Sequence, residues 1–343
     1  MTRCIRFDRL QERVNISYYR KVQDIYADFK TFGSCSKVPY ANAIEFLHNF
    51  YDTWDGHSEI NVYELGVGNG LFALNFLDGI AKVIGHKNPF LKHMNYFLCD
   101  VSFNNISFNV EKNLAKFNID FIPVNISKSI SFLRKPLYVR SNEMYDDIPA
   151  RIFVKDRDGI KEVFYNNDLD YEYYPAKGIS AQVLSHVSKM PLGYHIPANI
   201  KCSDSICNIA KRILPGGYFD VYDYGFSSIS EVKEFSKDAW NANIIRKYGT
   251  QLTVDINFML LSSILFEKGI DHTLSTQKSY TELILGEKLF YLELDNLYYL
   301  SAKELAQNKH YIRKFGYSYK QLLSGIEEKD DYMHLRVFSK KHM

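Results

Sequence analysis

VYELGVGNG, residues 62–70, decides how this chain is read. Val62 and Tyr63 are strand formers. After Glu64 and Leu65 come three glycines at alternating positions, Gly66, Gly68 and Gly70, and then an apolar run from Leu71 to Leu77 with helical character. Strand, glycine turn and helix bring backbone N–H groups up against a nucleotide-like ligand. Glycine suits the turn because it accepts positive φ and has no Cβ to block the approach.

Working outward, strand and helix patterns alternate. An amphipathic helix is expected over 38–56, with Ile44, Leu47, Phe50, Tyr51 and Trp54 on one face and Gly56 at its end. Strands are expected at 60–65, 96–101, 119–124, 136–141 and 218–224, the last stopped by Gly225. A helix carrying Phe108, Val110 and Leu114 lies between the second and third. This alternation predicts an α/β fold, Rossmann-like, with a doubly wound and mostly parallel sheet. Residues 151–200 break the pattern with turn signals (DRDG, NND, PAKG, PLG) around a hairpin built from FVK and EVFY. They read as an insertion facing the substrate. Helices are expected at 202–214, through much of 226–250, over 252–268 with Gly269 as cap, and between 276 and 335. Late strands fit 270–276 and 335–340. The division that follows is 1–56 (helical region with a cofactor loop), 57–150 (binding core), 151–200 (insertion) and 201–343 (second half of the core, with a helical insertion at 226–268).

The 343 residues are 46% hydrophobic and 24% charged, a globular composition with room for a sizeable core. A net charge of +2 gives no support for a nucleic-acid or membrane-surface role. No apolar run is long enough to span a bilayer, and the N-terminal residues lack the apolar segment of a signal peptide. Five scattered cysteines point to reduced thiols and a cytoplasmic setting. The close pair Cys202 and Cys207 has the wrong spacing for a zinc site, and no metal is expected.

The glycine turn departs from the dinucleotide fingerprint, because Leu71 stands where the third glycine belongs and Gly70 comes one residue early. Glu64 also precedes Gly66 by two residues. This acidic-x-G-x-G-x-G form is usual in class I methyltransferases, whose cofactor is S-adenosyl-L-methionine. That cofactor has no pyrophosphate for a helix dipole, but it carries a cationic sulfonium and an amino-acid tail that a carboxylate can serve. Asp100, closing the second strand, is placed to bind ribose hydroxyls or to cap the next helix. Asn142, Glu143, Asp146 and Asp147 follow the fourth strand at the expected switch point, and the Glu143–Asp146 spacing lets one helical turn aim both carboxylates the same way. Asp223 ends the fifth strand at the same rim. His195, in the insertion, is either an acceptor-side base or incidental.

Several stretches together resemble the MidA-like S-adenosylmethionine-dependent methyltransferases, relatives of a mitochondrial complex I assembly arginine methyltransferase. They are ADFKT (27–31), ELGVGNG (64–70), YFLCDVS (96–102), SNEMYDDIPARIF (141–153), VYDYG (221–225), LTVDINF (252–258) and STQKSYTELILG (275–286). The resemblance implies a seven-stranded class I methyltransferase core. Asp28, Thr31, Glu64, Gly66, Gly68, Gly70, Asp100 and Asn142 would hold the cofactor, and Glu143, Asp146 and Asp223 would be catalytic. It implies an arginine acceptor on a protein. The chain departs from the family at 226–250, where no GDTLR-like stretch occurs, and at HIPA (195–198), which replaces Glu-Val-Ser-Pro. Both lie where an acceptor would be recognised, so a small-molecule O- or N-methyltransferase and a low-turnover cofactor-binding assembly factor stand as alternatives.

Overall fold

Strand parity in the glycine-turn strand sets the architecture. In β1 (Ile60–Leu65), Ile60 and Val62 join one apolar cluster and Tyr63 and Leu65 join another. Both faces of the strand are therefore buried, as in a sheet covered on two sides. The same division runs through β2 (Met94–Asp100), β4 (Tyr138–Asn142) and β5 (Tyr218–Phe226). The computed structural model describes residues 3–21, 30–126, 130–293, 297–309 and 332–339.

With β3 (Ile119–Pro123), β6 (His272–Thr276) and β7 (Tyr332–Phe338), the sheet runs β6-β7-β5-β4-β1-β2-β3. Strands β3 to β5 pair in parallel, and β7 is antiparallel to both β5 and β6. The sheet has eight strands rather than the expected seven, because Ile256–Asn257 pairs in parallel with the end of β5. That pairing also explains why Gly225 does not stop β5. A Cβ on Gly225 would lie 2.0 Å from the Ile256 carbonyl oxygen, so glycine permits the close approach while the strand continues to Phe226. Because β1 lies between β2 and β4, the loops after these strands face one crevice at their carboxyl ends.

The hairpin expected in 151–200 is present as Arg151–Asp156 against Gly159–Tyr165. It belongs to a five-stranded antiparallel sheet with Ile5–Arg6, Tyr171–Pro175 and His195–Ala198. Ile152, Val163 and Ile196 from this sheet share a core with Tyr63, Val139 and Val221 of the main sheet.

Four expectations need correction. The helix over 38–56 ends at Phe50, where Asp55 accepts from the N–H groups of His57 and Ser58 and forms a turn before Gly56. The polar segment 226–250 has two short helices, Ile229–Glu234 and Lys237–Asn243, and then a hairpin of Ile245–Tyr248 with Gln251–Val254. The helix placed at 252–268 therefore begins at Phe258, since β-branched Thr253, Val254 and Ile256 take strand pairing and Asn257 caps the helix by accepting from Leu260 N. A second hairpin, Leu289–Glu293 with Leu297–Ser301, lies where helices alone were expected.

Candidate functional site

The glycine turn bends as its sequence requires, with φ of +72°, +57° and +76° at Gly66, Gly68 and Gly70. Gly70 then precedes the helix Leu71–Ile84 and offers no side-chain cap to its N-terminus. Asp100 braces the turn from the next strand. Its Oδ2 accepts from Gly68 N at 3.2 Å, and its Oδ1 accepts from Val101 N at 2.6 Å and Ser102 N at 3.3 Å. The helix Phe108–Leu114 is capped by Ser107 rather than by Asp100. Half-buried, Asp100 lies at the carboxyl end of β2 beside the glycine turn, and burial raises its pKa.

Glu64 is engaged by other side chains of the fold. It is buried beneath the turn, with the Tyr96 hydroxyl donating to its Oε2 at 2.5 Å. Arg140, directly opposite in the β1–β4 register, brings Nε to 3.5 Å from the same oxygen. The Arg140 guanidinium lies 4.0 Å from the Phe72 ring centre and 4.3 Å from that of Phe76. Glu64 thus fixes the base of the turn through a buried ion pair. The signal available in the sequence was Arg140 itself, a cation in the apolar stretch PLYVRS.

After β4 the chain forms an acidic turn. Glu143 has φ +46°, unusual outside glycine, and its N–H still bonds to Tyr222 O at 2.8 Å. Its Oε1 accepts from Thr31 Oγ1 at 2.7 Å, Phe32 N at 2.8 Å and Asn142 Nδ2 at 3.2 Å. Burial, opposed by these donors, pushes its carboxyl up to about 7. Thr31 also caps the short turn Phe32–Ser34 by accepting from Gly33 N. Asp28 lies outside the described residues. Asn142 leaves its Oδ1 buried without a partner.

Glu143 and Asp146 do not share a helical face, because the 3₁₀ turn spans Tyr145–Asp147 and excludes Glu143. Asp146 is buried and accepts from the Tyr224 hydroxyl at Oδ2, whereas its Oδ1 has no partner. Arg246 lies 4.1 Å over the Tyr224 ring and 3.1 Å from Asp255 Oδ1. Asp147 accepts from Asn15, Tyr19 and Gln251. Burial raises both aspartates above the ordinary carboxylate range, and Asp146 raises Asp147 further. The N-terminal helix Phe7–Lys21 and the hairpin 245–254 therefore supply these polar contacts, although the sequence pointed to the 151–200 insertion.

Asp223 must be corrected as a catalytic base. Fully buried, its Oδ2 accepts from the N–H groups of Met144 (3.2 Å), Tyr145 (2.8 Å) and Asp146 (3.3 Å), and its Oδ1 from Tyr224 N (2.9 Å). Both oxygens are taken up by backbone N–H groups, and Oδ2 holds the turn. His195 is also withdrawn from the site: it is buried between the hydroxyls of Tyr165 (2.8 Å) and Tyr173 (3.1 Å), and burial lowers its pKa to about 4. Cys202 and Cys207 are buried and free on the helix Ile200–Ala210.

The acidic turn and the glycine turn touch. A Cβ on Gly66 would lie 2.7 Å from Met144 Cγ and 2.8 Å from Met144 Cβ. Phe32, tied to Glu143, stacks on Tyr299 with ring centres 4.5 Å apart and meets Tyr332 edge-on at 4.6 Å. The crevice thus joins a glycine turn, a cluster of carboxylates and an aromatic wall.

A family model described as "Putative S-adenosyl-L-methionine-dependent methyltransferase" matches residues 43–275. No curated protein matches the chain. Among solved structures, a Burkholderia thailandensis protein with S-adenosyl-homocysteine bound aligns over 99% of this chain and 89% of its own, at 14% identity and a TM-score of 0.64. An uncharacterised protein from the same organism, solved in its native form, aligns over 99% and 88% at 14% identity and a TM-score of 0.61. The family model spans most of the chain, including the glycine turn, the acidic turn and β5, and the chain belongs to this family: it is an S-adenosyl-L-methionine-dependent methyltransferase.

Proposed function

We propose that this methyltransferase modifies a protein side chain, with arginine as the acceptor, and that its finer kinship is with the MidA-like enzymes. The acidic turn carries this reading. Glu143, Asp146 and Asp147 lie within five residues, and Asp146 Oδ1 and Asn142 Oδ1 are buried acceptors without a donor. Such a site favours a cationic group rich in N–H donors, as a guanidinium is.

The residues fit the cofactor. The turn of positive-φ glycines, the half-buried Asp100 bonded to it and the unpartnered Asn142 Oδ1 are suited to a nucleoside with an amino-acid tail. Gly66, Gly68, Gly70, Asp100, Asn142 and Thr31 would hold it, and Glu64 supports the turn from below. When bound, the cofactor supplies an electrophilic methyl group on a cationic sulfonium. The chain supplies position and proton handling. Glu143, tethered at Oε1 and titrating near neutrality, accepts the proton that leaves the acceptor nitrogen. Asp146, held by Tyr224, orients the acceptor through its free Oδ1. Asp223 keeps the turn in shape. The free cysteines support a reducing, cytoplasmic setting.

A second reading, a small-molecule acceptor, is favoured by the aromatic wall of Phe32, Tyr291, Tyr299 and Tyr332 beside Glu143. Cell extract incubated with methyl-labelled cofactor and the enzyme separates the two. Label in protein, recovered as methylarginine after hydrolysis, is expected. Label confined to small molecules overturns the protein acceptor.

A further inference from the structure

We propose that the acidic turn senses the charge of the cofactor: Glu143 and its neighbours hold the cationic methyl donor more tightly than the neutral product S-adenosyl-homocysteine, and so favour product release once the methyl group has gone. The inference rests on placing this turn at the methyl-transfer centre.

The turn is well hydrogen-bonded but poorly neutralised. Glu143 is met by a threonine hydroxyl, a backbone N–H and an asparagine amide. Asp147 is met by an asparagine, a glutamine and a tyrosine, and Asp223 by four backbone N–H groups. All of these donors are uncharged. They orient the carboxyl groups without bringing a positive charge to them. Among the described residues the cation that bears on the turn is Arg246, and its guanidinium is paired with Asp255.

Two independent observations point to a ligand here. Asp146 Oδ1 and Asn142 Oδ1 belong to side chains more than nine-tenths buried, and neither has a partner. Met144, between Glu143 and Asp146, packs its Cβ and Cγ onto Gly66, so the acidic cluster is in contact with the cofactor turn itself. The groups facing Glu143 are Asp146 on its own turn, Asp223 from β5, Tyr248 from the hairpin and Tyr332 from β7, with Thr31 and Phe32 on the remaining side. Apart from Arg246 beyond Asp146, these groups are neutral or acidic.

A cation entering this cluster favours the ionised form of Glu143, which is held protonated up to about pH 7 in the empty site. Binding the donor then releases a proton. Binding the product, which has no positive sulfur, does not. By linkage, donor affinity rises with pH through neutrality and product affinity stays flatter.

Isothermal titration of the protein with S-adenosyl-L-methionine and with S-adenosyl-homocysteine, between about pH 6 and about pH 8.5 and in two buffers of different ionisation heat, reads both quantities. The donor is expected to bind about tenfold more tightly than the product at the alkaline end and within about threefold at the acid end. Proton release is expected for the donor alone. Glu143→Gln keeps an oxygen for Thr31 and Phe32 and should flatten the donor profile. Parallel profiles for both ligands, with equal proton release, overturn the charge sensing and leave the cofactor site standing. An unchanged donor preference in Glu143→Gln, with the melting temperature kept, removes Glu143 as the sensor. The acceptor assay fails separately, since label found only in small molecules leaves this charge preference intact.

Discussion

Gly66→Ala tests the contact between the two turns that build the site. Gly66 has φ +72°, where an alanine costs about 1–2 kcal/mol from Cβ–carbonyl crowding. The added Cβ would also lie 2.7 Å from Met144 Cγ and 2.8 Å from Met144 Cβ. These atoms are close to the backbone of a turn pinned by Asp223, so rotating the end of the Met144 side chain cannot clear them. Overpacking of this kind costs about 1–3 kcal/mol. The sum is about 2–5 kcal/mol, or a melting temperature lower by about 3–7 °C in a chain of this size. Urea denaturation of wild type, Gly66→Ala, Met144→Ala and the double variant separates the two parts. Met144→Ala removes Cγ and leaves Cβ, so it relieves only part of the clash, and the double variant should recover about 1 kcal/mol of the sum of the single costs and retain the backbone strain. If the two costs simply add, Met144 does not press on Gly66 and the coupling of the turns is wrong.

Two further perturbations address the carboxylates. In Asp223→Asn every partner of the side chain is a donor, so the new amide N–H group has nothing to bond, and the loss should be about 2–3 kcal/mol in denaturant unfolding with faster hydrogen exchange at residues 144–146; wild-type exchange there would refute the role of Asp223 in holding the turn. Glu143 keeps its proton up to about pH 7 in the folded chain but only to about pH 4.5 when unfolded, so its ionisation removes about 3 kcal/mol of stability as pH rises through that window; Glu143→Gln should lessen this decline measured without ligand, and an unaltered pH profile would refute the buried carboxyl.

The parts of the fold that were legible are those whose signals are local. Gly66, Gly68 and Gly70 announce a turn because few other residues take that backbone. The parity of β1 is visible in INVYEL. The acidic turn could be placed because Asn142 to Asp147 follow a strand pattern directly. The hairpin 289–301 was also within reach, since LFYLE and LYYLS flank the turn-forming pair Asp295 and Asn296 in the sequence. What could not be read was the destination of each carboxylate. Gln11 bonds to the backbone of Asp146, and Asn15 and Gln251 bond to the side chain of Asp147, across separations of more than a hundred residues. Thr31 reaches Glu143 across a similar distance. No periodicity encodes such pairings. The i,i+3 spacing of Glu143 and Asp146 even misleads, because it assumes a helix that begins only at Tyr145.

The left-handed backbone of Glu143 accounts for that divergence. The β4–β5 ladder continues to the Glu143 N–H, which still bonds to Tyr222 O, and then cannot proceed as a strand with φ at +46°. The reversal lays Met144 over Gly66 and delivers the next three N–H groups to Asp223. Asp146 is carried to Tyr224 and Asp147 to the N-terminal helix, while Glu143 remains at the strand end facing Thr31. A strained residue persists where the surrounding contacts over-determine it, and here they are a strand bond before it and a buried carboxylate after it. Substituting glycine at 143 would relax the backbone and leave Met144 and Asp223 in place, but it would remove the carboxylate that the strain presents. The position therefore sacrifices some stability to hold one acid apart from its neighbours, and the proposed division of labour in the turn follows from that separation: Asp223 shapes, Asp147 anchors, Asp146 orients, and Glu143 meets the charge that arrives.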